Sequence, residues 1–457
     1  MRAIAIEIVR RLKAAGHEAY FVGGCVRDQL LGQEPRDYDI ATAAMPEQIE
    51  SLFPHTLPVG RKFGVVLVIE RGKQFQVATF RAEAEYRDGR HPGRVTFCDA
   101  RADARRRDFT VNGLFFDPME NRLHDWVGGE RDLRSRIIRT IGDPDERFAE
   151  DHLRLLRAAR FAAQMNFGIE PGTFAALQTN ARKILGVSAE RIREELLKLF
   201  RPPHAARGLR LLRESGLLAQ LLPEIEATIE CEQSPEFHPE GSVYNHLVRI
   251  LEQLPADASA SLIWAALLHD VGKPPTASRD AQTGRIHFYG HEKAGAEMAR
   301  RILERLRFPR KQINEIVDCV RQHMQFKDVL RMRKSTLRRM LLRPTFPLEL
   351  ELHRLDCLGS HGRLDHYTFL VEQAAQLEQQ PAIRPPLLTG KDLLTLGMKP
   401  GPAMGRLLVE IREKQLQDEL KTAAQARAWV RSRAGPDGEA SGREPSSPKR
   451  SGRRKKV

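Results

Sequence analysis

The sequence predicts an α+β protein: an N-terminal α/β head with a mixed sheet, followed by a chain that is helical almost to its end. Three observations carry this reading. Short apolar runs separated by glycine-containing and polar turns fill residues 18 to 126, the pattern of strands and hairpins. From about Glu146 onward, apolar residues recur at three-to-four spacing, the pattern of amphipathic helices. At 457 residues the chain is too long for one core and points to about three domains.

The elements follow in order. The first segment, MRAIAIEIVRRLKAAGHEAYFV, is too charged for a secretory signal, and Ile4, Ile6, Ile8, Val9 and Leu12 suit a short amphipathic helix. EAYFV reads as a strand, CVRDQLL as a helix after a Gly23-Gly24 turn, and DYDIAT as a second strand. FGVVLVIERGKQFQVATF reads as a hairpin turning at Arg71-Gly72. The next segment, AEAEYRDGRHPGRVTFCDARADARRRD, has no sustained period and reads as a long mobile loop of a functional kind. EDHLRLLRAARFAAQM, SAERIREELLKLF, HAARGLRLLRESGLLAQLL and HEKAGAEMARRILERL read as helices. Pro202-Pro203, the polar segment 228 to 241 and QQPAIRPPLL read as joints, the last followed by a helical unit around KDLLTLGMKPGPAMGRLLVEI. The final 24 residues, rich in Gly, Ser, Pro and basic side chains, should be disordered.

Composition narrows the classes of function. Hydrophobic residues make up 41% and charged residues 29%, and no run of 18 apolar residues exists, so no membrane span is expected. The five cysteines are widely spaced and never CxxC, which argues for reduced thiols in a cytoplasm rather than disulfides or structural zinc. Of the net charge of +14, the tail from Ala434 supplies +4 and the body keeps +10, so a polyanionic partner such as nucleic acid is expected.

One constellation in the head carries chemistry. In a strand, residues i and i+2 share a face, so Asp37 and Asp39 point the same way. Two like charges on one face repel unless a cation lies between them, and hard oxygen ligands suit Mg²⁺. Upstream, Gly23-Gly24 lets backbone amides approach a phosphate, and Arg27 adds charge one turn into the helix that follows. Each piece alone is more often a plain turn or a solvated pair of acids. Their order along the chain is what gives them weight.

GGCVRD, RDYDIAT, QVATFR, RRRDFTVNGLFFD and EDHLRLLRAARF, in that order over residues 18 to 205, resemble the class II tRNA nucleotidyltransferase and bacterial poly(A) polymerase family. The resemblance implies that Asp37 and Asp39 are the Mg²⁺ ligands and catalytic pair of two-metal nucleotidyl transfer. It implies nucleotide contacts for Gly23, Gly24, Arg27, Arg106, Arg107, Asp108 and Asn112, with the RRD element near the ribose and triphosphate. Asp151, Arg154 and Arg157 then lie on one helix face. The first two act as an amino-acid template for the base, a carboxylate accepting from the exocyclic amine that C and A share. The bare alternative for Asp151 and Arg154 is a helix-surface ion pair. Gln76 stands where a related transferase would carry a third carboxylate, so either the site runs on two carboxylates or a nearby acid such as Glu83 contributes. The loop 82 to 105 corresponds to the element that influences switching from C to A.

A second constellation lies in the helical part. LIWAALLHDVGKP holds His269-Asp270, with His246 one helix upstream, His291 in YGHEKAGAEMA, His323 in VRQHM and Asp356 in HRLDCLG. A single His-Asp dipeptide carries nothing: His124-Asp125 is another, in a segment that reads as a strand with no supporting ligands. The whole set resembles the ligand series of HD-domain metal phosphohydrolases, and imidazoles with carboxylates on facing helices suit Mn, Fe, Co or Ni.

The expected organisation is a nucleotidyltransferase head (1–145), a helical neck (146–227), an HD-type domain (228–378), a helical tail unit (384–433) and a basic tail (434–457). The expected activity is CCA addition to a tRNA 3′ end from CTP and ATP, with an HD phosphohydrolase as a possible second activity. Poly(A) or A-only addition is the alternative within the family. A phosphohydrolase with an inactive head, or a non-catalytic RNA binder, are the alternatives outside it.

Overall fold

The computed structural model describes residues 1–57, 64–86, 92–234, 236, 238–379 and 385–433. The expected disordered tail 434–457 lies outside them, as does part of the joint at QQPAIRPPLL. The chain divides into two compact units: Met1–His323 with Leu355–Gly362, and Met324–Arg354 with Arg363–Val457. No helix among the described residues is long and apolar enough to cross a membrane.

The head is built on a seven-stranded sheet. Its strand order is Thr56–Leu57, Val65–Glu70, Lys73–Thr79, Asp39–Thr42, Ala19–Val22, Phe115–Asp117 and Arg122–His124. All neighbours run antiparallel except Asp39–Thr42 and Lys73–Thr79, which pair parallel, so the sheet is mixed as predicted. The hairpin turns at Arg71 (φ 49°) and Gly72 (φ 70°), the two left-handed residues that a tight hairpin matching the strand twist requires. The N-terminal helix Arg2–Ala14 buries Ala5, Ile8, Val9 and Leu12. The two central strands are buried on both faces, Phe21 and Ile40 on one and Val22 and Ala41 on the other, and Tyr38 packs on Phe21 with ring centroids 5.1 Å apart.

One expectation fails here. The segment read as a loop is a two-stranded hairpin, Arg81–Tyr86 paired with Pro92–Phe97, followed by the helix Ala100–Arg105. Its first strand, RAEAEY, carries Ala, Glu and Arg, weak strand formers, and pairs with PGRVTF, which holds the stronger ones Val95 and Thr96.

Beyond the head, the first unit is helical. Leu153–Met165 buries ten of its side chains, and Ala260–Leu268 is buried nearly all round, with Trp264 edge-on to Phe200 and Phe308. The second unit packs around two clusters, one including Phe326, Phe346, Leu370 and Leu416, the other Leu393, Ile411, Ala426 and Val430.

Candidate nucleotide site and candidate metal centre

In the head, the strand Ala19–Val22 ends at Gly23, whose φ of 71° and ψ of −129° are open only to glycine. Its N–H turns to the Leu114 carbonyl at 3.4 Å. A side chain there would meet Arg107: a Cβ would stand 3.3 Å from its guanidinium. The glycine therefore makes room for a cation.

Arg107 is aimed by an acid that sequence reasoning missed. Asp103, almost fully buried, accepts from Arg107 at 3.0 and 3.3 Å and from Arg106 at 2.8 and 3.0 Å. The signal was present as the i, i+3, i+4 spacing of ADARRRD on the helix that the loop reading hid.

Asp39 opens its strand, while Asp37 lies exposed just before the strand begins rather than within it. Burial, then the charge of Asp37, pushes the Asp39 carboxyl up to about 6, with Arg107 pulling the other way. Crowded acids of this kind fit a bound cation, which would relieve both the burial and the repulsion. In the parallel pair, Ile40 stands opposite Val77, so the next step back along the register would set Gln76 beside Asp39. The Glu83 side chain lies outside the described residues.

The remaining predicted residues form a linked chain of hydrogen bonds. Arg27 Nη1 donates to Asn112 Oδ1 at 2.7 Å, and Asn112 Nδ2 donates to Asp108 Oδ1 at 3.1 Å. Asp108 Oδ2 takes Arg157 at 2.6 and 2.9 Å. Burial opposes the Asp108 charge, but Arg157 and Asn112 outweigh it and hold the carboxyl at about 2. Arg27 and Arg157 both lie over the Phe161 ring, at 5.4 and 5.2 Å. The network ties the helix Gly24–Leu30 and the turn Thr110–Asn112 to the helix Leu153–Met165.

Asp151 and Arg154 depart from the expected geometry. Asp151 ends the helix Pro144–Glu150 in an extended conformation, so it does not share a helix face with Arg154 and Arg157. It is also not Arg154's ion partner. Arg191, unforeseen from the sequence, grips Asp151 at 2.7 and 3.2 Å, and Arg154 pairs with Glu150 while donating to the carbonyls of Arg147 and Arg106. Each is held independently by its own partner.

The six predicted HD residues converge. His246 sits within the helix Val243–Glu252, His269 caps Ala260–Leu268, His291 starts His291–Arg305, His323 caps Arg310–Gln322, and Asp356 lies in Phe346–Gly359. Asp270 is the hub: its oxygens stand 3.2 Å from His269 Nε2, 3.6 Å from His291 Nε2 and 3.8 Å from both His246 Nε2 and His323 Nε2. Asp356 stands 3.0 Å from His246 Nε2. Lys273 pairs with Asp270 at 2.7 Å and donates to Gln233 at 2.6 Å. Gly272 permits this packing, since a Cβ there would fall 2.2 Å from the His291 carbonyl.

Ring orientation shows what these groups are arranged for. His269, His291 and His323 each turn Nδ1 to a carbonyl three residues back, at 2.9, 2.7 and 2.7 Å, which leaves Nε2 facing the cluster. Buried His246 Nε2 and His269 Nε2 have acids close by yet no directed hydrogen bond. His291 Nε2 and His323 Nε2 stand 3.1 Å apart, and imidazole nitrogens gathered this closely around a buried acid fit a shared metal ion. Burial, then the like charge of His269, keeps His323 neutral with a pKa of about 3, the form that ligates. By contrast Asp125, of the other His-Asp pair, accepts four backbone N–H groups from Val127 to Glu130 and is a helix cap.

Known proteins match this arrangement. Residues 19–139 match the family model for the poly A polymerase head domain, 166–229 that for the probable RNA and SrmB-binding site of polymerase A, and 241–344 that for the HD domain. The CCA-adding enzyme of Geobacillus stearothermophilus is 45% identical over 218 residues, 48% of this chain and 54% of that enzyme, so the match spans about half of that relative's length. The A-adding tRNA nucleotidyltransferase of Deinococcus radiodurans is 35% identical over 431 residues, 90% of this chain and 94% of that one. The crystal structure of Bacillus stearothermophilus CCA-adding enzyme in complex with CTP has a TM-score of 0.71 at 29% identity, covering 94% of this chain and 96% of that one. With a relative matched along nearly its whole length, three family models matched along the chain and a shared architecture, the chain belongs to the class II tRNA nucleotidyltransferase and bacterial poly(A) polymerase family.

Proposed function

We propose that the chain is a template-independent RNA nucleotidyltransferase adding C and A, from CTP and ATP, to a tRNA 3′ end. The observation that carries this is the convergence of Gly23, Asp39 and Arg107 at one end of the central strands, an acid pair beside a cation with the glycine clearing space between. The family's chemistry implies a divalent metal ion. Asp37 and Asp39 would hold it as Mg²⁺, which when bound supplies activation of the RNA 3′-hydroxyl and neutralisation of the departing pyrophosphate. Arg107 and Arg106, aimed by Asp103, hold the triphosphate. The Arg27–Asn112–Asp108–Arg157 network sets the sugar side of the site. Asp151 accepts from the exocyclic amine of C or A and Arg154 donates to a ring acceptor, which rejects U and G; Arg191 and Glu150 fix the two template groups.

A-only addition is the second reading, favoured by the Deinococcus radiodurans relative that matches along 94% of its length. Incubating tRNA that lacks its 3′ CCA with each nucleoside triphosphate singly, and then with CTP and ATP together, separates the two. Incorporation of C followed by A is expected. Incorporation of A but never C would sink the CCA reading.

For the second site we propose a transition-metal centre of Mn, Fe, Co or Ni held by His246, His269, Asp270, His291, His323 and Asp356. It would hydrolyse phosphate esters at RNA ends, such as a 2′,3′-cyclic phosphate, and leave a hydroxyl for extension. Five free cysteines fit a reducing cytoplasm.

A further inference from the structure

We propose that Glu240 is a positioning residue for the histidine-rich centre: its carboxylate keeps the proton on His246 Nδ1, so that Nε2 stays free as a ligand. This deepens the metal reading above and rests on it. The need for such a group follows from where the four histidines sit. His269, His291 and His323 occupy helix ends, where the carbonyl three residues back can take their Nδ1–H. His246 lies inside the helix Val243–Glu252, where the backbone carbonyls serve the helix itself, so its ring must be oriented from outside. Glu240, just before that helix, is the group in place. Its Oε1 stands 2.9 Å from His246 Nδ1, and the carboxylate is 1% exposed beside a ring that is fully buried.

The same Oε1 also stands 2.9 Å from His238 Nδ1, so one carboxylate oxygen faces both rings. His238 in turn lays its ring edge against His246, with centroids 5.0 Å apart. Arg249 stands 3.6 Å from Oε2 and anchors the other side of the carboxylate. A carboxylate behind a ligating imidazole sets its tautomer and makes it a better donor, and removing such a partner lowers metal affinity about 10- to 100-fold.

The test is Co²⁺ binding to the full chain, read by visible absorption and titration calorimetry, with Mg²⁺ in large excess to occupy the head. Wild type, Glu240→Gln and His238→Gln are compared, with thermal melts as the check of folding. Glu240→Gln is expected to bind Co²⁺ about 10- to 100-fold more weakly at unchanged stoichiometry. His238→Gln should change affinity less than about threefold, since His238 is not itself the ligand. Wild-type affinity in folded Glu240→Gln overturns the assignment, and so does an equal loss in His238→Gln, which would make the His238–Glu240–His246 group a cation site of its own. If Glu240→Gln does not fold, Glu240→Asp decides on the same criterion. Failure of the wild-type chain to bind Co²⁺ overturns the metal reading itself, an outcome distinct from an insensitive Glu240 variant.

Discussion

The head site and the histidine centre solve the problem of concentrated charge in opposite ways. In the head, acids and arginines are split between partners: Asp103 with Arg106 and Arg107, Asp108 with Arg157, Asp151 with Arg191. Asp37 is exposed and Asp39 half-buried, and the cation whose charge reaches Asp39 is Arg107, itself held by Asp103. In the histidine centre nearly everything is buried, and the groups share one hub, Asp270. Under the proposed function, the head would admit and release a triphosphate on every turnover, for which separate, accessible charges are suited. A site built around a resident ion can close over it.

The largest effect should come from breaking the two sites separately. Asp37→Ala with Asp39→Ala should reduce nucleotide incorporation to background and leave Co²⁺ binding unchanged. His269→Ala with Asp270→Ala should abolish Co²⁺ binding and leave incorporation near wild type. Normal incorporation by the first pair would remove the metal assignment in the head.

A smaller effect sharpens the view of the head as a made space. Gly23→Ala forces a side chain into a glycine-only conformation at a cost of about 1–3 kcal/mol and presses on Arg107. The KM for CTP and ATP should rise about tenfold while metal binding in the histidine centre does not change. An unaltered KM would show that Arg107 does not serve the nucleotide.

The smallest effect concerns stability. Arg157 and Asn112 hold Asp108 at about 2 against an ordinary value of 3.8, which corresponds to roughly 2 kcal/mol of folding stability. For a depressed carboxyl this contribution is complete above the unfolded value and fades as pH falls toward 2. Asp108→Asn should therefore lower Tm at neutral pH, and the gap to wild type should narrow between pH 4 and 2. A pH-independent gap would assign the loss to packing rather than to charge.

Glu240 had no legible signal. It sits in the polar segment 228 to 241 that reads as a joint, and only folding brings it behind His246. Asp103 had a signal, hidden because the strand Arg81–Tyr86 carries Ala, Glu and Arg in place of the β-branched residues that announce a sheet, so the segment around the helix Ala100–Arg105 read as a loop. Arg191 reaches Asp151 across 40 positions of sequence, a separation at which no local pattern exists.

By itself the sequence determined the alternation that builds the mixed sheet, the Arg71-Gly72 turn, the helical periodicity beyond Glu146, and the order of the motifs in both sites. All of these depend on neighbours within one turn or one strand, where side-chain period and backbone preference act directly. The tertiary structure alone decided which acid holds which arginine, that Asp151 stands outside the helix it was expected to share, and how each imidazole is turned. Those choices depend on which charges and carbonyls meet once distant elements pack, because a buried charge takes the partner that packing supplies.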